Sequence, residues 1–175
     1  GATIVYVTHD QLEAITLADR IGILDHGRLI QIGPPQEVYE RPASIYAAQR
    51  LGSPPINIVS AGSLGLPPPP ARAVQAGIRP EDITVAAGAG FPASVLTVEH
   101  LGVETVAVLD VGGQTVHAFL DAHAGVEPGA ETTFSIRPGA AVWFDADGVR
   151  VDARVDARVD GGAQRKLAGG AADVR

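Results

Sequence analysis

The chain has 175 residues, with 13 basic and 20 acidic side chains, a formal net charge of −7, and neither cysteine nor methionine. The lack of cysteine excludes disulfides, thiolate nucleophiles and sulfur-ligated metals, and the excess of acid opposes a phosphate backbone, so nucleic-acid binding is not expected. Hydrophobic residues make up 46% of the chain, enough for a packed core, while no apolar run approaches the roughly 18–20 residues of a membrane-spanning helix and the N-terminus lacks the pattern of a signal peptide.

A chain that opens at Gly1 without any methionine is expected to be processed, or part of something longer. Its charge is uneven: residues 1–52 carry 4 basic and 6 acidic groups, 53–149 carry 3 and 10, and 150–175 carry 6 and 4. Residues 3–8 are β-branched and aromatic with apolar side chains on both faces, which predicts a buried parallel strand. His9 follows at its carboxyl end. Asp10 then serves as N-cap with Glu13 three residues on, a capping-box pattern opening a helix through about Asp19. Leu12, Ile15 and Ala18 recur at helical spacing and should form its packed face. Residues 20–25 read as a strand, His26-Gly27 as a two-residue hairpin turn and 28–32 as the returning strand. Short helices are expected after Pro34 or Pro35 and after Pro42. This is the far edge of an α/β domain.

Gly52-Ser53-Pro54-Pro55-Ile56-Asn57 reads as a linker, after which the pattern becomes nearly all β. Strands are predicted near 73–78, 93–101, 105–111, 114–120, 131–136 and 141–144, with hairpin turns at Gly112-Gly113 and Asp147-Gly148. So many short strands in under a hundred residues predict a small barrel of the OB type. The four prolines at 67–70 read as an extended surface loop. The fold class is therefore mainly β, an OB-type barrel preceded by an α/β remnant. The division expected is 1–52, 53–149 and a low-complexity tail, 150–175, built on an Arg-Val-Asp-Ala repeat that should be disordered.

Thr8-His9-Asp10 lies where open α/β sheets place ligand groups, at the carboxyl end of a strand and ahead of a helix. The other histidines have plainer readings: His26 solvated in a turn, His117 packed in a strand or at its edge. Asp121 and His123 lack a third ligand for a metal. Glu81, Asp82, Glu99 and Glu104 read as a solvated acidic face, and Trp143 with Phe144 as barrel core.

Val7-Thr8-His9-Asp10-Gln11-Leu12-Glu13-Ala14, Leu17-Ala18-Asp19-Arg20-Ile21 and Gly27-Arg28-Leu29-Ile30-Gln31-Ile32-Gly33-Pro34-Pro35 resemble, without a gap, the last third of an ABC-transporter ATPase. The Gly52-Ser53-Pro54-Pro55-Ile56-Asn57 junction is similar to that of the maltose-type, sugar-importing branch. Gly77-Ile78-Arg79-Pro80-Glu81 and Val98-Glu99-His100-Leu101-Gly102-Val103-Glu104-Thr105 are similar to signposts of that branch's transport-associated OB regulatory domain. The resemblance covers residues 3–151. It implies that His9 is the switch histidine, which in these ATPases contacts the γ-phosphate and helps hold the attacking water. It further implies ATP and Mg in a complete parent protein, transmembrane permease subunits as partners, a homodimer formed through the regulatory domain, a small-molecule or protein regulator, and a place at the inner face of the cell membrane. No Gly-x-x-x-x-Gly-Lys-Ser/Thr occurs, no Leu-Ser-Gly-Gly-Gln or Asp-Glu strand precedes His9, and the only lysine is Lys166. The chain alone is accordingly expected to bind no nucleotide and to be inactive, and any cut from a parent is expected just before Thr3. A stand-alone OB module binding small oxyanions is the alternative.

Overall fold

The structure is a computed structural model that describes residues 2–86, 90–121 and 124–152. His123 and the repeats beyond Asp152 lie outside the described residues, so the Asp121–His123 pair and most of the expected tail do too.

Residues 3–8 form no strand, contrary to expectation. Ile4, Val5 and Val7 are 83%, 87% and 84% exposed, and no described strand pairs with this run. A parallel strand needs neighbours on both sides to satisfy its backbone and cover both faces; β-branched composition supplies neither. The helix that follows does form, as α1 (Gln11–Leu17). Asp10 caps it, its Oδ1 accepting from the backbone N–H of Leu12 at 2.8 Å and of Glu13 at 3.1 Å. The reciprocal half of the capping box is replaced. Glu13 Oε2 accepts from the Thr8 hydroxyl at 2.8 Å, and the Asp10 N–H donates to Thr8 Oγ1 at 2.9 Å. The packed face also differs: Ala14 and Ala18, four apart, touch the small apolar cluster below, which turns Leu12 to solvent.

β1 (Ile21–Asp25) and β2 (Arg28–Gly33) pair antiparallel. His26 and Gly27 both have positive φ, 44° and 78°, as a two-residue turn with the twist of a hairpin requires. α2 (Pro35–Glu40) begins on a proline whose missing N–H costs nothing there. α3 (Ile45–Gln49) is capped by Ser44 Oγ, which accepts from Ala47 N–H at 3.2 Å. Val38 and Ala47 from these helices bury against Ile21, Ile23 and Leu51.

Among the described residues, nine strands follow and make an OB-type half-barrel: β3 (Asn57–Ser60), β4 (Gln75–Ile78), β5 (Ile83–Val85), β6 (Phe91–His100), β7 (Thr105–Val111), β8 (Gln114–Leu120), β9 (Glu131–Ile136), β10 (Val142–Phe144) and β11 (Arg150–Val151). They form two sheets, ordered β11-β10-β4-β3 and β5-β9-β6-β7-β8. β6 lies between β9 and β7 and pairs with both, with an irregularity in its register to β7 between Val95 and Thr97. Ile78, Val95, Leu109, Val116, Phe134 and Trp143 fill the core between the sheets.

A third, smaller cluster of Ala48, Ile56 and Phe144 joins α3 to the barrel. Gly77 sits against it. A Cβ there would come within 2.8 Å of Ile56 Cδ1 and 2.9 Å of Phe144 Cε2, so only glycine lets β4 lie this close. The 52–57 segment is therefore no loose linker: Ile56 and Asn57 are buried. Arg150 and Val151, read as the start of the tail, pair with Phe144 and Trp143, and the Arg150 N–H donates to the Ala43 carbonyl at 3.0 Å.

Candidate functional site

His9 stands on the short loop ahead of α1, exposed and without a side-chain hydrogen bond among the described residues. Its neighbours are spoken for: Asp10 caps the helix, while Thr8 and Tyr6 direct their hydroxyls to Glu13, at 2.8 and 3.3 Å. Gln11 anchors this loop to the rest of the molecule, its Oε1 accepting from Gly52 N–H at 2.9 Å. The imidazole is thus displayed on a braced loop, with no second functional group gathered around it. A lone imidazole could donate to one phosphate oxygen. The sequence offers no Gly-rich loop with its lysine to hold the rest of a nucleotide, so the residues present do not make an ATP and Mg site by themselves.

The remaining sequence-predicted residues scatter. His26 is in the hairpin turn, its Nδ1 2.7 Å from Asp25 Oδ1; that hydrogen bond, helped by Tyr46 and Arg50, holds the Asp25 carboxyl below the usual carboxylate range. His117 lies in the edge strand β8, where its backbone N–H donates to Asn57 Oδ1 at 2.7 Å. Among the described residues no three potential metal-ligating side chains cluster. Glu99 and Glu104 are exposed as a solvated face requires, but Asp82 is not part of one. It is buried and paired with Arg137 at 2.6 Å. Trp143 belongs to the main core and Phe144 to the cluster under α3.

The densest polar construction joins the helices to the barrel. Arg79 is 6% exposed, and its guanidinium donates to three backbone carbonyls: Leu51 at 2.5 Å, Tyr39 at 2.9 Å and Ala48 at 3.2 Å. Those carbonyls lie in or just after α2 and α3, where helix ends leave acceptors without intrahelical donors. Its Cζ lies over the Tyr39 ring, 3.8 Å from the ring centre. Burial pulls the Arg79 pKa down, opposed by the nearby Tyr39, Glu81 and Asp82; a guanidinium stays charged through such a shift. The Tyr39 hydroxyl donates to Glu81 Oε1 at 2.5 Å, and burial, followed by this bond, pushes its pKa up to about 12. Asn57 does for β3 and β8 what Arg79 does for the helices, its Nδ2 donating to the carbonyls of His117 and Ile78 at 2.9 and 3.1 Å. The segments before and after residue 52 are bolted together by charge-assisted bonds to backbone. This construction transmits position and offers no reactive group.

Residues 76–144, which span β4 to β10, match the TOBE domain family. The chain is also similar to an sn-glycerol-3-phosphate import ATP-binding protein of Jannaschia sp., with 40% identity over 161 residues that cover 84% of this chain and 46% of that protein. A protein of the same description from Cupriavidus pinatubonensis is 39% identical over 186 residues, covering 87% of this chain and 50% of its own length. An uncharacterized ABC transporter ATP-binding protein of Sinorhizobium fredii is 40% identical over 169 residues, 85% of this chain and 45% of that one. By sequence the chain belongs with the C-terminal part of ABC-transporter ATP-binding subunits, TOBE domain included. It spans about half the length of the relatives it matches.

Within the TOBE domain the residue that sequence reasoning left without a role is Arg79. A signal was available: segment 53–149 has 3 basic residues among 10 acidic ones, and an arginine embedded in an apolar strand end, Gly77-Ile78-Arg79-Pro80, cannot be a solvated charge. Tyr39 and Asn57 carried no such signal, because their partners are backbone atoms or lie 42 and 60 residues away.

Proposed function

We propose that this chain is the regulatory and dimer-forming portion of the ATPase subunit of a bacterial importer for sugars or sugar phosphates. In this reading residues 1–52 are the end of the nucleotide-binding domain, and 53–149, extended by β11, are the regulatory domain. His9 is the switch histidine of the complete domain, where ATP and Mg are held by residues outside this chain. The protein sits in the cytoplasm against the inner face of the membrane, docked on permease subunits. A small molecule or protein acting at the TOBE domain regulates the cycle. Among the described residues no helix is long and apolar enough to cross a membrane, which suits a subunit that works through membrane partners.

The observation that carries this reading is the combination of similarity over 84% of the chain to an import ATP-binding protein with a TOBE match over residues 76–144. The bolted junction at Arg79 supports it, since a regulatory module must be fixed to the unit it regulates. Phosphoryl transfer depends on positioned charge more than on covalent participation. In the full-length subunit assembled with its permease, His9→Ala should therefore lower ATP hydrolysis by roughly two orders of magnitude with nucleotide binding retained. Unchanged turnover would remove His9 from the mechanism. Sedimentation of the 175-residue chain should show a concentration-dependent dimer, and a monomer at all concentrations would remove the dimer-forming role.

A further inference from the structure

We propose that the cleft between α2 and the barrel binds a phosphomonoester, a small organic anion, across the junction that Arg79 holds. The cleft has a volume of about 1180 Å³ and is walled by Arg41 beyond the end of α2, by Arg137 after β9 and by Arg150 of β11. Basic residues are scarce here: the TOBE-bearing segment 53–149 has 3 against 10 acidic ones. Two of those three, Arg79 and Arg137, face this one space, together with an arginine from each flanking segment.

The carboxylates of the cleft wall already have protein partners. Glu81 accepts from Tyr39, Asp82 from Arg137, Asp152 from Arg150, and Glu40 from Gln36. Arg79 spends its guanidinium on the three carbonyls. Four arginines and four carboxylates thus line the cleft, and the arginines keep N–H donors that these pairings leave unused. The Arg41 side chain has no partner among the described residues. Arg137 uses only Nε and Nη2, both on one oxygen of Asp82, and its side chain is 68% exposed. Arg150 engages only Asp152, through one nitrogen. A guanidinium has donors and no acceptor, so its unused N–H groups are met best by an anion. A single fork satisfies a planar carboxylate, whereas forks arriving from separate elements suit a tetrahedral dianion. The volume lies at or above the roughly 300–1,000 Å³ typical of small-molecule sites, far more than an inorganic ion fills. Phe91, Leu66 and Ile136 give the wall an apolar part on which the organic body can lie. Because one wall comes from the α2–α3 segment and the other from the barrel, such a ligand would brace the two against each other.

Trp143 is the only tryptophan and also lines the cleft, so the 175-residue chain reports on its own site. Titration with sn-glycerol 3-phosphate, followed by Trp143 emission and by calorimetry, should saturate in the micromolar to millimolar range. Glycerol should give no change and inorganic phosphate a weaker one. Arg41→Gln, which disturbs no described contact, should weaken binding roughly tenfold and Arg41→Glu should abolish it, while Arg28→Gln on the hairpin leaves it unchanged. The proposal is overturned by flat titrations, by equal binding of inorganic phosphate, or by Arg41 variants that bind like the parent. These readouts need neither dimer nor ATPase, so the cleft and the transporter reading stand or fall separately.

Discussion

Residues 3–8 and β7 have nearly the same character, Thr-Ile-Val-Tyr-Val-Thr against Thr-Val-Ala-Val-Leu-Asp-Val, and opposite fates. β7 is central in its sheet, paired along its whole length with β8 and flanked by β6, with Val106, Ala107, Val108 and Leu109 all buried. The 3–8 run is exposed from Ile4 to Val7. Glycines 112 and 113 deliver a partner strand to β7 within two residues, whereas none of the described strands lies beside residues 3–8. Strand propensity describes a side chain's fit to a half-buried surface, so the surface has to be supplied.

That contrast can be broken by mutation. Leu109→Ala should cost about 2–5 kcal/mol of barrel stability, as cavity formation in a packed core does. Val5→Ala should stay within about 0.5 kcal/mol. Comparable losses for the two in urea unfolding would mean that the 3–8 run is packed in solution. Arg79→Met keeps the stem and removes the donors, leaving the carbonyls of Leu51 and Ala48 unsatisfied; about 3 kcal/mol should be lost. Amide exchange should then quicken in α3 while β7 stays protected. Asn57→Ala should cost about 2 kcal/mol and loosen β3 from β8, visible as faster exchange at the His117 amide.

The smallest effect concerns Tyr39. Its folded pKa, about 12, lies above the ordinary value of 10.0, so the unfolded chain releases this proton first as pH rises. The stability it contributes is complete below pH ~10 and is lost between there and ~12. Tyr39→Phe should flatten that part of the stability–pH curve and remove the late step of a spectrophotometric tyrosine titration; an unchanged curve would mean that burial and the Glu81 bond do not hold the Tyr39 proton.

Local chemistry made much of the fold legible. His26-Gly27 and Gly112-Gly113 can be read because a tight hairpin turn needs two positive φ angles, which leave a mark in sequence. The strands 105–111, 114–120 and 131–136 fall where alternation and turn residues put them. Asp10 could be read as a cap, because its partners are two and three residues away. Asp82 and Arg137 could not, since their pairing depends on two chain segments 55 residues apart meeting. The candidate site divides the same way. His9 stands out in a local motif, while the cleft gathers Arg41, Arg137 and Arg150 from three separate elements.

The sequence by itself determined the hairpin turns, the Asp10 cap, the longer barrel strands and the family resemblance, which rest on patterns local in the chain. Tertiary structure decided three things: that 3–8 is not a strand, that 52–57 is a clamped junction, and that two of the three arginines of an acidic domain meet two from the flanking segments along one cleft. Each depends on which distant backbone groups and charges come within hydrogen-bonding range, and a burial or desolvation cost is set by that neighbourhood rather than by the residue's own identity.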